Sequence, residues 1–184
     1  MHPFKLARHQ TGLLVIDVQE SLYPYMERSG EVLRSMIQVV EGFKILNLPI
    51  LVTEQYPKGL KPTVAKLKNA LPQNPVVIEK TAFSCAKEKA FLSFESQHKI
   101  TQWVLIGIEA HVCMLQTAKD LLSAKREVTV LNDAISSRSI SNFSTAIAEM
   151  RDCGVRISSV ETVLFELLQD AAAAEFKQIS QLVK

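Results

Sequence analysis

The chain has 184 residues, 47% of them apolar, with 21 Lys and Arg against 19 Asp and Glu for a formal net charge of +2. That length suits one substantial core, so a single domain over residues 1–184 is expected. The basic residues are scattered rather than blocked, which argues against a nucleic-acid partner, and no run has the length of a membrane span or a secretory signal core.

The elements alternate along the chain. Residues 11–17 form a continuous β-branched and apolar run that ends on Asp17, and residues 31–46 follow with helical spacing. A second run at 49–53 leads into Glu54, Gln55 and Tyr56, and then into a proline-rich excursion that contains a short helix at 63–70. A third run at 75–79 ends on Glu79 and Lys80, with a helix expected at 86–98. The fourth run, 102–107, passes through a tight segment, Gly107-Ile108-Glu109-Ala110-His111-Val112-Cys113, into a helix at 112–124. A fifth run at 127–132 precedes Asp133 and a helix at 141–153. A weaker edge strand at 155–160, a helix at 161–168 and a C-terminal helix at 171–183 complete the reading.

Apolar runs without alternation are buried on both faces, the signature of a parallel sheet between helix layers. The fold class is therefore α/β, a three-layer doubly wound α/β/α arrangement with a mostly parallel central sheet of about six strands. Such sheets bind ligands at the carboxyl ends of their strands, where Asp17, Lys80 and the Gly107-to-Cys113 segment all fall.

A cysteine near a helix N-terminus is placed to be a nucleophile, since the macrodipole and free amides there favour thiolate over thiol. Asp17 offers proton transfer, and Lys80 offers a charge to balance it. Each has a blander reading: Cys113 as packing, Asp17 as a helix cap, Lys80 as a solvated lysine. Cys85 and Cys153 are read as packing or surface residues. Three cysteines with no CxxC pair leave no disulfide framework or thiolate metal cage and suit a reducing, cytoplasmic setting.

Asp17, Lys80 and the Gly107-to-Cys113 turn resemble the Asp-Lys-Cys triad of the isochorismatase-like cysteine hydrolase superfamily. The stretches at 53–57, 79–85, 107–113, 133–138 and 161–165 are similar to its isochorismatase domain-containing subgroup. The resemblance runs from Leu13 to Leu168. It implies that Cys113 is the nucleophile, Asp17 the proton carrier and Lys80 the residue that holds both. It implies a cis peptide between Ile108 and Glu109, an oxyanion hole from the Glu109 and Cys113 amides, and a homo-oligomer.

Gln19, Tyr56, Phe83 and His111 are the candidate substrate-binding residues. Nicotinamidases of the superfamily hold a metal through an Asp-x-His pair where this chain reads Thr53-Glu54-Gln55, so neither metal nor other cofactor is expected. The expected activity is hydrolysis of a small amide, ester or vinyl ether through a covalent intermediate. The alternative is a hydrolase-derived binding or scaffold protein. A nuclease or RNA-binding role is the third and weakest reading.

Overall fold

A computed structural model describes residues 5–184; His2 and the other residues before Lys5 lie outside it. Six strands form one sheet: β1 (Thr11–Ile16), β2 (Ile50–Gln55), β3 (Val76–Lys80), β4 (Gln102–Ile108), β5 (Glu127–Ser136) and β6 (Arg156–Ser158). Their order is β3-β2-β1-β4-β5-β6, and every neighbouring pair is parallel. The chain therefore reverses its direction of travel across the sheet between β1 and β4.

Helices α1 (Ser29–Ile45), α2 (Pro57–Leu60), α3 (Ala65–Ala70), α4 (Lys89–His98), α5 (Leu115–Ser123), α6 (Ile140–Cys153), α7 (Val160–Leu168) and α8 (Phe176–Leu182) connect and flank the strands. Period-two alternation along β1 divides the core. Leu13 and Val15 pack with Val39 and Phe43 of α1 and Leu164 of α7, whereas Leu14 and Ile16 face Phe91 of α4, Ala118 of α5 and Met150 of α6. Each large side chain buried in this way contributes about 1.5–3 kcal/mol.

Helix ends follow their local chemistry. The Ser139 hydroxyl accepts from the Asn142 amide to start α6, and Gly154, at φ +104°, ends it in the left-handed region. Ser159 starts α7 likewise. Asp133, expected just past a strand end, instead lies inside β5. Its carboxylate accepts from the Val160 amide at 3.1 Å, so its charge faces the start of α7.

Gly107 lets β1 and β4 meet at the reversal. It pairs with Ile16, has φ +137°, and an added Cβ would sit 2.1 Å from the Ile16 carbonyl oxygen. Only glycine fits there. Among the described residues no helix is long and apolar enough to cross a membrane.

Candidate active site

Asp17 follows β1 directly and Lys80 ends β3, with β2 between their strands. The Lys80 ammonium reaches over β2 and donates to Asp17 Oδ2 at 2.6 Å, with both side chains wholly buried. It also faces Gln55 Oε1 at 2.8 Å and the Ala82 and Phe83 carbonyls at 3.1 Å each. Three ammonium protons thus meet four acceptors, which leaves none for a carboxylate on a ligand. The second Asp17 oxygen, Oδ1, accepts from the Thr53 hydroxyl at 2.7 Å.

Cys113 lies on the other side of β1, past the end of β4. Residues Ala110–Met114 form a wide π-type turn before α5, in which the Leu115 amide donates to the Ala110 carbonyl. The Ile108–Glu109 peptide is cis. The Glu109 carbonyl accepts from the Val112 and Met114 amides, while its own amide has no hydrogen-bond acceptor among the described residues. Glu109 Oε2 accepts from Arg138 Nε at 2.9 Å.

Burial, in a residue 7% exposed, drives the Cys113 thiol well above the ordinary range. The negative charge of Asp17 and its hydrogen bonding add to this, and the nearby Lys80 opposes it without overcoming it. Burial of Cys113 thus opposes the thiolate that a helix N-terminus would favour. Cys85 is also buried, and its thiol is pushed up to about 12, first by desolvation, against a hydrogen bond from Thr117.

Asp17 and Tyr56 have φ of +53° and +37°. Left-handed backbone in non-glycine residues costs about 1–3 kcal/mol each and clusters at functional sites. Both stand at the carboxyl edge of the sheet, Asp17 at the reversal itself.

The isochorismatase domain family model matches residues 11–162. Isochorismatase domain-containing protein 2 of Danio rerio is 38% identical over 97% of this chain and 89% of its own length. The chain belongs to the isochorismatase family of hydrolases. A protein named secreted isochorismatase effector Isc1, from Phytophthora sojae, is 37% identical over 98% of this chain and 87% of its own length. A Caenorhabditis elegans structure named MAR1 ribonuclease superposes with a TM-score of 0.92 at 33% identity, covering 98% of this chain and 92% of its own.

Two cavities of this isochorismatase domain open beside Lys80 and Glu109. One, of about 360 Å³, is lined by Tyr56, Pro57, Lys58, Glu79, Lys80, Thr81 and Glu88. The other, of about 380 Å³, is lined by Ser21, Leu22, Tyr25, Met26, Glu109 and Arg138. Cys113 lines neither.

Of the four expected substrate-binding residues, Tyr56 lines one of these two cavities and the other three line neither. Gln19 is fully buried and its side-chain amide is committed to backbone: Nε2 donates to the Gln55 and Lys61 carbonyls, and Oε1 accepts from the Gln55 amide. It braces the loop instead of facing a ligand. The Phe83 ring is 52% exposed and outside both cavities; what Phe83 gives the site is its carbonyl. His111 Nδ1 lies 3.0 Å from Ser137 Oγ and Nε2 lies 3.4 Å from Asn142 Nδ2, so its ring is held within the chain.

Sequence reasoning placed Gln55 after the second strand without giving it a role, and gave none to Thr53 or Arg138. A period of two past the apolar part of β2 puts Thr53 and Gln55 on one face, and that signal was available. Glu54, between them, faces away and accepts from the Thr63 amide and hydroxyl at 2.7 Å. Among the described residues no group of three or more His, Cys, Asp or Glu side chains is arranged to hold a metal ion.

Proposed function

We propose that the chain is a cysteine hydrolase of a small metabolite with an amide, ester or vinyl-ether bond, acting through Cys113, Asp17 and Lys80. The observation that carries this reading is the wholly buried Asp17–Lys80 pair, 2.6 Å apart, at the reversal point of the sheet, near enough to Cys113 for both charges to bear on its thiol. Removing two charges from water costs several kcal/mol per ion, and nothing in the packing of β1 to β3 requires it.

For a carbonyl substrate the steps balance as follows. Cys113 Sγ attacks the carbonyl carbon as its proton passes to the Asp17 carboxylate, and the carbonyl oxygen becomes an oxyanion held by the Glu109 and Cys113 amides. Collapse breaks the bond to the amine or alcohol, which leaves with the proton from Asp17. Water then attacks the thioester and gives a proton to Asp17. The acid departs and the proton returns to sulfur. Throughout, Lys80 neutralises the charge on Asp17 and holds its carboxylate, without touching substrate.

We read residues 1–184 as one hydrolase domain that works in the cytoplasm as a homo-oligomer. A screen over amides, ureas, esters, isochorismate and a short RNA, comparing wild type with Cys113→Ala, tests the function. Turnover of a small molecule that vanishes in Cys113→Ala supports it. Cleavage of the RNA alone, as the name of the nematode relative suggests for that protein, overturns the small-molecule reading. Silence of both proteins beside tight ligand retention favours the binding-protein alternative.

A further inference from the structure

We propose that the end of β2 is a clamp for the catalytic pair, with Thr53 and Gln55 as positioning residues that fix where the charges of Asp17 and Lys80 stand relative to the Cys113 sulfur. The inference rests on the triad reading above and adds two residues to it.

The sheet order creates the need for such a clamp. Asp17 and Lys80 belong to strands separated by β2, so their backbones lie about two strand spacings, or roughly 10 Å, apart. A long lysine side chain spanning that gap has many rotamers available, and something must select one. Ile16 pairs with Thr53, and Gln55 pairs with Lys80, so the end of β2 runs directly beneath the bridge. The Asp17 amide donates to the Thr53 carbonyl at 3.1 Å, which ties the two strand ends together.

Side chains two apart on a strand share a face. Thr53 donates to Asp17 Oδ1, which leaves Oδ2 to Lys80, so each carboxylate oxygen has one fixed partner. Gln55 Oε1 accepts from Lys80, while Gln55 Nε2 donates to the Thr81 carbonyl at 2.7 Å. The Gln55 backbone is itself gripped on both sides by Gln19, through its amide and its carbonyl. The buried Gln19 thus acts through Gln55, which explains its full burial at the edge of a site.

The test uses the whole protein and needs no known substrate. Iodoacetamide is reacted at fixed pH near 8 and the adducts are counted by peptide mass spectrometry. Exposed Cys153 serves as the internal reference for reagent. Below its pKa a thiol reacts in proportion to its thiolate fraction, so a one-unit rise slows it about tenfold. Thr53→Val frees Asp17 to concentrate its charge and hydrogen bonding on the thiol, and Gln55→Glu adds a second carboxylate beside Lys80. Both should slow Cys113 relative to Cys153 by about three- to tenfold.

Thr53→Ser, which keeps the hydroxyl, should return the wild-type ratio. A general loosening of the fold would instead expose Cys113 and speed its reaction. The clamp is overturned if Thr53→Val and Gln55→Glu both keep the ratio within about twofold of wild type, or if Thr53→Ser behaves as Thr53→Val does. Should Thr53→Val fail to fold, Gln55→Glu and Thr53→Ser decide. Hydrolysis that depends on Cys113 alongside an unchanged ratio sinks the clamp and spares the hydrolase reading. A changed ratio with no turnover of any substrate does the reverse.

Discussion

Strands β1 and β4 each run between two buried polar clusters, and the clusters are built on opposite terms. At the amino ends, Gln102 meets the Ala7 amide at 2.7 Å, Thr11 Oγ1 at 3.0 Å, the Lys5 carbonyl at 2.9 Å and Glu127 Oε2 at 2.6 Å. Every polar atom of that side chain is matched, backbone is in normal strand geometry, and the result is closure of the sheet over the N-terminal segment. At the carboxyl ends stand a buried ion pair, a residue in left-handed backbone and a thiol whose pKa burial raises. Both ends satisfy their polar groups, but the amino end does so around a neutral amide and the carboxyl end around a wholly buried pair of opposite charges. The difference is one of cost: two buried charges lose several kcal/mol each of hydration, a matched neutral amide much less.

Substitutions should expose that asymmetry, most of all at the ion pair. Lys80→Met strands a buried carboxylate, and we expect a loss of about 3–5 kcal/mol in denaturant unfolding together with loss of hydrolysis. Adding Asp17→Asn to Lys80→Met should recover most of the stability and none of the activity. If the double variant stays as unstable as the single one, the pair is holding the fold, and the contrast between the two ends disappears.

Gly107→Ala should cost roughly 2–4 kcal/mol, because the new Cβ meets the Ile16 carbonyl oxygen and the residue must keep a positive φ. It should also displace Glu109 and Cys113, so activity falls further than stability alone explains. Gln102→Leu is expected to lose about 2 kcal/mol in the same unfolding experiment and to leave the turnover number unchanged. A fall in turnover at fixed stability would show that the two ends of β1 and β4 communicate.

The smallest effect is expected at Glu166, which fastens the N-terminal segment by accepting from the Leu6 amide at 2.7 Å and pairing with Arg156. Burial works to raise its carboxyl, but the Arg156 guanidinium and the Leu6 amide outweigh it and hold it below its ordinary value. That stabilisation is present above the usual carboxylate range and is lost as pH falls through the lowered value. Glu166→Gln should therefore cost about 1 kcal/mol at pH 7 and almost nothing near pH 3, measured by thermal melts at both.

Much of this was legible in the chain. Uninterrupted apolar runs announced the strands, and each run lies where a strand forms; burial on both faces holds for β1 and β4, whereas Val76 and Val77 of the edge strand β3 are exposed. The fifth was read too short because Asn132 and Asp133 look like a strand end, whereas β5 continues to Ser136 and the polar pair sits within it. Helix α5 was read from Val112, but Ala110 to Met114 make a wide turn before regular winding begins at Leu115.

Asp17, Lys80 and Cys113 could be named from strand ends and resemblance. What sequence hides is strand order: nothing in the spacing says that β3 lies beyond β2, so the bridge over Thr53 and Gln55 was invisible. The state of the thiol was misread for a related reason. Helix position predicts thiolate, but burial depends on packing by distant segments.

The central claim is that Cys113 takes the acyl group. Brief exposure to 4-nitrophenyl acetate, quenching in acid and peptide mass spectrometry should find the acetyl group on Cys113 in wild type. Asp17→Asn, which lacks the carboxylate that takes the thiol proton during acyl transfer, should show far less of it, while exposed Cys153 is labelled equally in both proteins and buried Cys85 carries none above background. An acetyl group found only on Cys153, or equal labelling of Cys113 in wild type and Asp17→Asn, would contradict the account.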